Sequence, residues 1–146
     1  MKSRQRQKGS AMLEGALVMS ATLGLFVFIL QMGTFLAQQQ YYAERARAGA
    51  RYAVTTSFSS SNTTPIKNYV CYGSTTAPSG ATSGMFNLQP SMVTVTRRGT
   101  ANTWNDRIEV SIAATSMVSH IPLLPGTLSG KTIVATAPTQ SLGATF

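Results

Sequence analysis

The sequence predicts an α+β fold, with a long N-terminal transmembrane helix followed by a small antiparallel β-sheet domain packed on the helix's second half. Three observations carry that expectation. No charged residue occurs from Gly15 to Ala43, helix formers continue without a proline to Ala53, and three segments enriched in β-branched residues follow after Pro90. With 146 residues, the chain has room for one globular domain at most beside such a helix.

The first element is a basic segment over 1–9, holding Lys2, Arg4, Arg6 and Lys8. The formal net charge of +8 and the pI near 10.3 suggest nucleic acid until the cations are mapped along the chain. A chain without 1–9 keeps +4 by side-chain count, which is ordinary for a small exported domain. The charge therefore bears on topology first, and positive-inside places the basic segment in the cytoplasm.

The helix is expected over 10–54, with its transmembrane part at about 15–37. The run LVMSATLGLFVFILQMGTFLA matches the roughly 20 residues needed to cross a bilayer. A cleaved secretory signal has the same order of basic and apolar regions, but three details oppose it. Glu14 opens the run, the run outlasts a signal's apolar core, and Phe35-Leu36-Ala37 places a bulky residue where cleavage needs a small one. A continuous helix of this length would extend roughly 65 Å at 1.5 Å per residue, so its second half needs another partner. Ala16, Ser20 and Gly24 recur every four residues and line one face with small side chains, which permits close helix approach in lipid. Arg45, Arg47 and Arg51 are read as a solvated or juxtamembrane face and not as a nucleic-acid contact.

After the helix, 55–90 is rich in Ser, Thr, Gly and Pro and is expected to be loop. The β domain is expected over 91–146. Strands are expected at Ser91–Arg98, Asp106–Thr115 and Lys131–Ala137, with the clearest alternation at Ile108, Val110 and Ile112. The connection RGTANTWND is short enough to make the first two an antiparallel hairpin. In Met117–Gly126, two prolines exclude a regular helix.

Chemistry-bearing residues are sparse. Cys71 is the single cysteine and His120 the single histidine, so an intrachain disulfide and a cysteine-cluster metal site are excluded. The expectation is a free thiol on a loop and a surface histidine. A membrane-anchored enzyme would have only Asp106, Glu109 and His120 to work with, and the two acids are expected to be exposed at a strand start. No enzymatic activity, cofactor or metal is expected.

One constellation stands apart: Lys8-Gly9-Ser10-Ala11-Met12-Leu13-Glu14 places a carboxylate at the start of an otherwise uncharged helix. Such a carboxylate costs about 2.5 to 3.5 kcal/mol at bilayer centre and less near the interface, so it calls for a partner or a function. An α-amino group freed by a cut after Gly9 would supply a positive partner one helical turn away, in the same chain or a neighbour.

Gly9, Ser10 and Glu14 resemble the processing site of type IV pilin-like precursors, and KGSAMLEGALVM together with AERARAGARYA resembles the TadE family of minor pseudopilins of the tight-adherence (Tad, Flp-type) pilus system. The resemblance covers about the first 54 residues; the segments VTVT, IEVSIAA, IPLLPG and TIVATA are similar in style and order. Gly15 departs from the pattern, since these proteins often carry an aromatic residue there. The resemblance implies a prepilin-type leader over 1–9, a cut between Gly9 and Ser10 by a prepilin peptidase, and Glu14 pairing with a neighbouring subunit's N-terminus. It also implies partners: other pilins and minor pseudopilins through the helix, and an inner-membrane assembly platform. The implied location is the bacterial inner membrane, with the C-terminal domain periplasmic or extracellular, or a surface pilus. The alternatives are a simple signal-anchored exported β-rich binding domain and a pilin subunit of another type IV-like system. Against a major subunit, Flp-type ones are much shorter, and other type IV pilins commonly carry a disulfide.

Overall fold

The computed structural model describes residues 3–56, 58–59, 62–100, 103, 105–118 and 126–139. The chain forms a helix α1 (Ser3–Thr55), a short helix α2 (Thr63–Tyr72), and five strands: β1 (Val93–Arg98), β2 (Arg107–Ile112), β3 (Ser116–Val118), β4 (Thr127–Ser129) and β5 (Ile133–Pro138). Contacts divide it into two compact units, Met1–Leu36 with Met117–Leu128, and Ala37–Ser116 with Ser129–Phe146.

In the first unit the helix is long and apolar enough to cross a membrane. Its large apolar side chains face outward, as at Met12, Leu17, Leu23, Phe26 and Ile29. The hydroxyls in this stretch are satisfied by their own helix: Ser20 donates to the Leu17 carbonyl, Thr22 to Val18 and Thr34 to Gln31, each at 2.8 Å. That matters in hydrocarbon, where a polar group without an internal partner finds no water.

The second unit has the expected α+β packing. β1, β2 and β5 form an antiparallel sheet in the order β1-β2-β5, so the strand with the clearest alternation sits in the middle. Register puts Val110 of β2 between Val95 and Ala135, and Ile112 between Val93 and Ile133. These side chains share one buried face with Ile108. Against that face lie Tyr42, Ala46, Ala50 and Ala53 of α1, Ile66, Val70 and Cys71 of α2, and Leu88. Each fully buried Ile, Leu or Val here contributes about 1.5 to 3 kcal/mol. The second half of α1 covers the sheet through a stripe of small residues, which lets backbone approach backbone. A Cβ added at Gly49 would lie 2.2 Å from Val70 Cγ2.

The loop expected over 55–90 is interrupted by α2. Its signals are short but physical. Pro65 lies in the first turn, where its missing N–H costs nothing, Ile66 and Val70 stand one turn apart, and Gly73 closes the helix at φ 76 with its N–H on the Tyr69 carbonyl at 2.9 Å. Two further strands, β3 and β4, pair as a two-stranded ribbon flanking the proline-containing segment, most of which lies outside the described residues. Met85–Asn87 and Pro90–Met92 are single 3-10 turns leading into β1. Gly84 has no room for a side chain, because a Cβ there would meet the Cys71 carbonyl oxygen at 2.1 Å.

Candidate functional site

The residues singled out for assembly all lie on α1. Ser10 and Glu14 are exposed and one helical turn apart, about 6 Å along the axis. Gly9 precedes them in the same helix. Ala16, Ser20 and Gly24 are exposed too, and a Cβ added at Gly24 meets nothing within 4 Å. Among the described residues Glu14 has no ion-pair partner. Among the described residues, this leaves a carboxylate without an ion-pair partner and a strip of small residues on an otherwise apolar helix surface.

Elsewhere the polar residues are committed within the second unit. Asp106 was expected to be exposed at a strand start. It is buried instead, with 2% of its surface accessible, because Arg97 across the hairpin holds both its carboxylate oxygens. Arg97 Nε donates to Oδ1 at 2.7 Å. This hydrogen bond raises the Arg97 pKa above its already high ordinary value, so the pair is a fixed charge couple and not a proton donor. Asp106 also ties β2 to the end of β5 through its backbone, its carbonyl taking the Thr139 N–H at 3.1 Å, while its own N–H closes the hairpin turn on the Thr103 carbonyl at 3.0 Å. Glu109 accepts from Arg98 at 3.2 and 3.4 Å on the sheet's exposed face. His120 and Trp104 lie outside the described residues.

Cys71 differs from the expected loop thiol. It sits in α2 and is 1% exposed, because the i, i+4 and i+5 positions Ile66, Val70 and Cys71 all turn into the core. Burial pushes its pKa from the ordinary 9.0 up to about 11, against the opposing pull of the Arg45 charge. The folded state holds the proton more tightly than the unfolded chain. That contribution to stability is complete below about pH 9 and is lost as pH rises toward 11.

Arg45 is a second departure, since it does not belong to a solvated face. It is half-buried, donating from Nε to the Val70 carbonyl at 2.9 Å and from Nη2 to the Tyr69 carbonyl at 3.0 Å. Both are end carbonyls of α2, the Tyr69 one shared with the Gly73 N–H, and α2 carries no basic residue in its last turn. One helix therefore caps another. Arg47 and Arg51 are exposed. Arg51 borders an open groove of about 350 Å³ with Ala48, Tyr52, Thr55 and Tyr69, where the two tyrosine rings stack at 4.4 Å. The groove has one cation and no acid, so no acid–base pair meets there.

Sequence reasoning did not find Arg45 as a cap, nor Asp106 as a buried pair. The first depends on α2, whose signals are weak. The second was legible in principle, because Arg97 and Asp106 flank a hairpin turn and an antiparallel register brings such residues together. No cluster of His, Cys, Asp and Glu able to hold a metal occurs among the described residues. In comparisons with known proteins, no family model, no curated protein and no solved structure matches this chain.

Proposed function

We propose that this chain is a minor pilin-like (pseudopilin) component for assembly of a Tad/Flp-type pilus or a related secretion apparatus, trimmed between Gly9 and Ser10 by a prepilin peptidase. The observation that carries the reading is Glu14. It is an exposed carboxylate, without an ion-pair partner among the described residues, one turn from Ser10 at the start of an outward-facing apolar helix. A carboxylate so placed is matched by an α-amino group at Ser10 of a neighbouring subunit, and trimming after Gly9 creates that group. The basic residues of 1–9 hold the leader in the cytoplasm, and the sheet-bearing unit lies on the other side of the inner membrane. The stripe Ala16, Ser20 and Gly24 gives partner helices a place to pack. Partners are other pilins and minor pseudopilins along this helix, with the assembly platform in the same membrane.

The test is the intact mass and N-terminal sequence of protein recovered from membranes, with and without a co-expressed prepilin peptidase, beside Gly9→Ala. A mature chain beginning at Ser10, and an uncut variant, is the expected result. A chain beginning at Met1 in every case would leave a simple membrane anchor, and a start beyond Ala37 would make the apolar run a secretory signal.

A further inference from the structure

We infer that the Met85–Asn87 turn is a lipid-contacting foot, which seats Met85 and Phe86 in the headgroup–acyl boundary of the bilayer that α1 crosses. The inference rests on the anchor reading of α1 and adds a second membrane contact to it, made by a part of the chain far away in sequence.

The first observation is the exposure of the turn. Met85 is 60% and Phe86 36% exposed, while Leu88, two residues on, is fully buried. Leu88 pins the turn to the core, and its carbonyl takes the Gly84 N–H at 2.8 Å. Between these anchors Phe86 and Asn87 adopt positive φ, 55° and 61°. A bulky residue in the left-handed region is a strained choice, retained only where its surroundings over-determine it. Here the Tyr42 hydroxyl donates to the Phe86 carbonyl at 2.8 Å, and the Gln38 amide supports the Tyr42 hydroxyl at 3.0 Å. The backbone is thus held in a conformation that turns an apolar pair outward.

The second observation is where along α1 those supports fall. Gln38 directly follows the last residue of the apolar run, Ala37, and its Nε2 lies 3.5 Å from the Phe86 carbonyl. At 1.5 Å of rise per residue, Gln38 and Tyr42 span about 6 Å beginning at the end of the run. The interfacial layer outside the hydrocarbon is about 5 to 7 Å deep on each side. Phe86 is held beside this stretch of the helix by Gln38 and Tyr42. Its ring meets Tyr41 edge-on at 5.6 Å, so an aromatic pair of one apolar and one hydroxyl-bearing ring stands where membrane proteins gather such residues. An isolated exposed Met or Phe is ordinary on a protein surface. A strained turn that displays both, at the level where the chain leaves the hydrocarbon, points to lipid.

The full-length chain, reconstituted in phosphatidylcholine–phosphatidylglycerol vesicles, is spin-labelled one site at a time as Met85→Cys, Thr76→Cys and Leu25→Cys. Cys71 is buried, and the unsubstituted chain gives the labelling blank. The ratio of collisions with oxygen to collisions with a water-soluble nickel chelate reports depth. The expected ratio at position 85 is several-fold above that at 76 and below that at 25. If 85 matches 76 while 25 reads as deep, the inference is overturned and the anchor stands. If 25 reads as water-exposed, the anchor reading fails and takes the inference with it.

Discussion

The two halves of α1 use the same device with opposite outcomes. Ala16, Ser20 and Gly24 form a small-residue strip in the first half; Ala46, Gly49, Ala50 and Ala53 form one in the second. The second strip is buried, with Val70 of α2 and Val110 of β2 pressed onto Gly49. The first is exposed, and Gly24 has nothing within reach of an added Cβ. Small residues therefore do not by themselves say what will pack on them. They only permit close approach, and the rest of each helix surface decides who approaches. Around the second strip, Glu44, Arg47 and Arg51 wet the remaining faces, so the dry stripe is the obvious site for a core. Around the first, no residue from Gly15 to Ala37 is charged, a surface that lipid or another membrane helix would match.

The sharpest way to break this contrast is to enlarge one glycine in each strip. Gly49→Leu drives a branched side chain into Val70 and the sheet behind it, and overpacking of this kind costs about 3 kcal/mol. A urea or thermal melt of the full chain in detergent micelles, followed by tyrosine near-UV circular dichroism, should show the loss as a lower midpoint. An unchanged midpoint would mean that the strip is not the seam between α1, α2 and β2.

A smaller effect tests the cap. Arg45→Met keeps much of the apolar stem but removes two charge-assisted hydrogen bonds to the Val70 and Tyr69 carbonyls, which should cost about 2 kcal/mol in the same melt. Arg45→Lys should recover only part of it, since an ammonium does not reproduce the fork that reaches both carbonyls. Full recovery by lysine would reduce the cap to a charge acting on the end of α2.

Much of this was legible in advance. Ile108, Val110 and Ile112 announce a central strand by strict alternation, and RGTANTWND announces the turn that pairs it with β1. The uncharged run before Gln38 announces a helix long and apolar enough to cross a membrane. What escaped has a common cause. α2 is ten residues long, too short for helical periodicity to stand out from the Ser- and Thr-rich segments around it, and its stability comes from tertiary packing of Ile66, Val70 and Cys71. Without α2, Cys71 has no reason to be buried and Arg45 has no carbonyls to cap. Asp106 was misjudged for a different reason: composition assigns a lone acid to solvent, and only the register places Arg97 close enough to accompany it inward. The candidate assembly site was the opposite case, because Gly9, Ser10 and Glu14 are adjacent in sequence and need no tertiary contact to be brought together.

The smallest expected effect on folding is the most informative about the first strip. Gly24→Leu adds a side chain where nothing waits for it, and a leucine is a better helix former than glycine. The midpoint of the second unit should therefore move by less than about 0.5 kcal/mol equivalent. In a bilayer the same substitution removes the flat surface that lets a neighbouring helix come close. Energy transfer between donor- and acceptor-labelled chains, co-reconstituted in vesicles, should fall for Gly24→Leu and stay at the parent level for Leu23→Ile, which leaves the strip untouched. If both variants keep the parent signal, the strip is a lipid-facing surface, and small residues on this helix carry no partner. If Gly24→Leu lowers the folding midpoint as far as Gly49→Leu does, the first strip is a core like the second, and the contrast between the halves disappears.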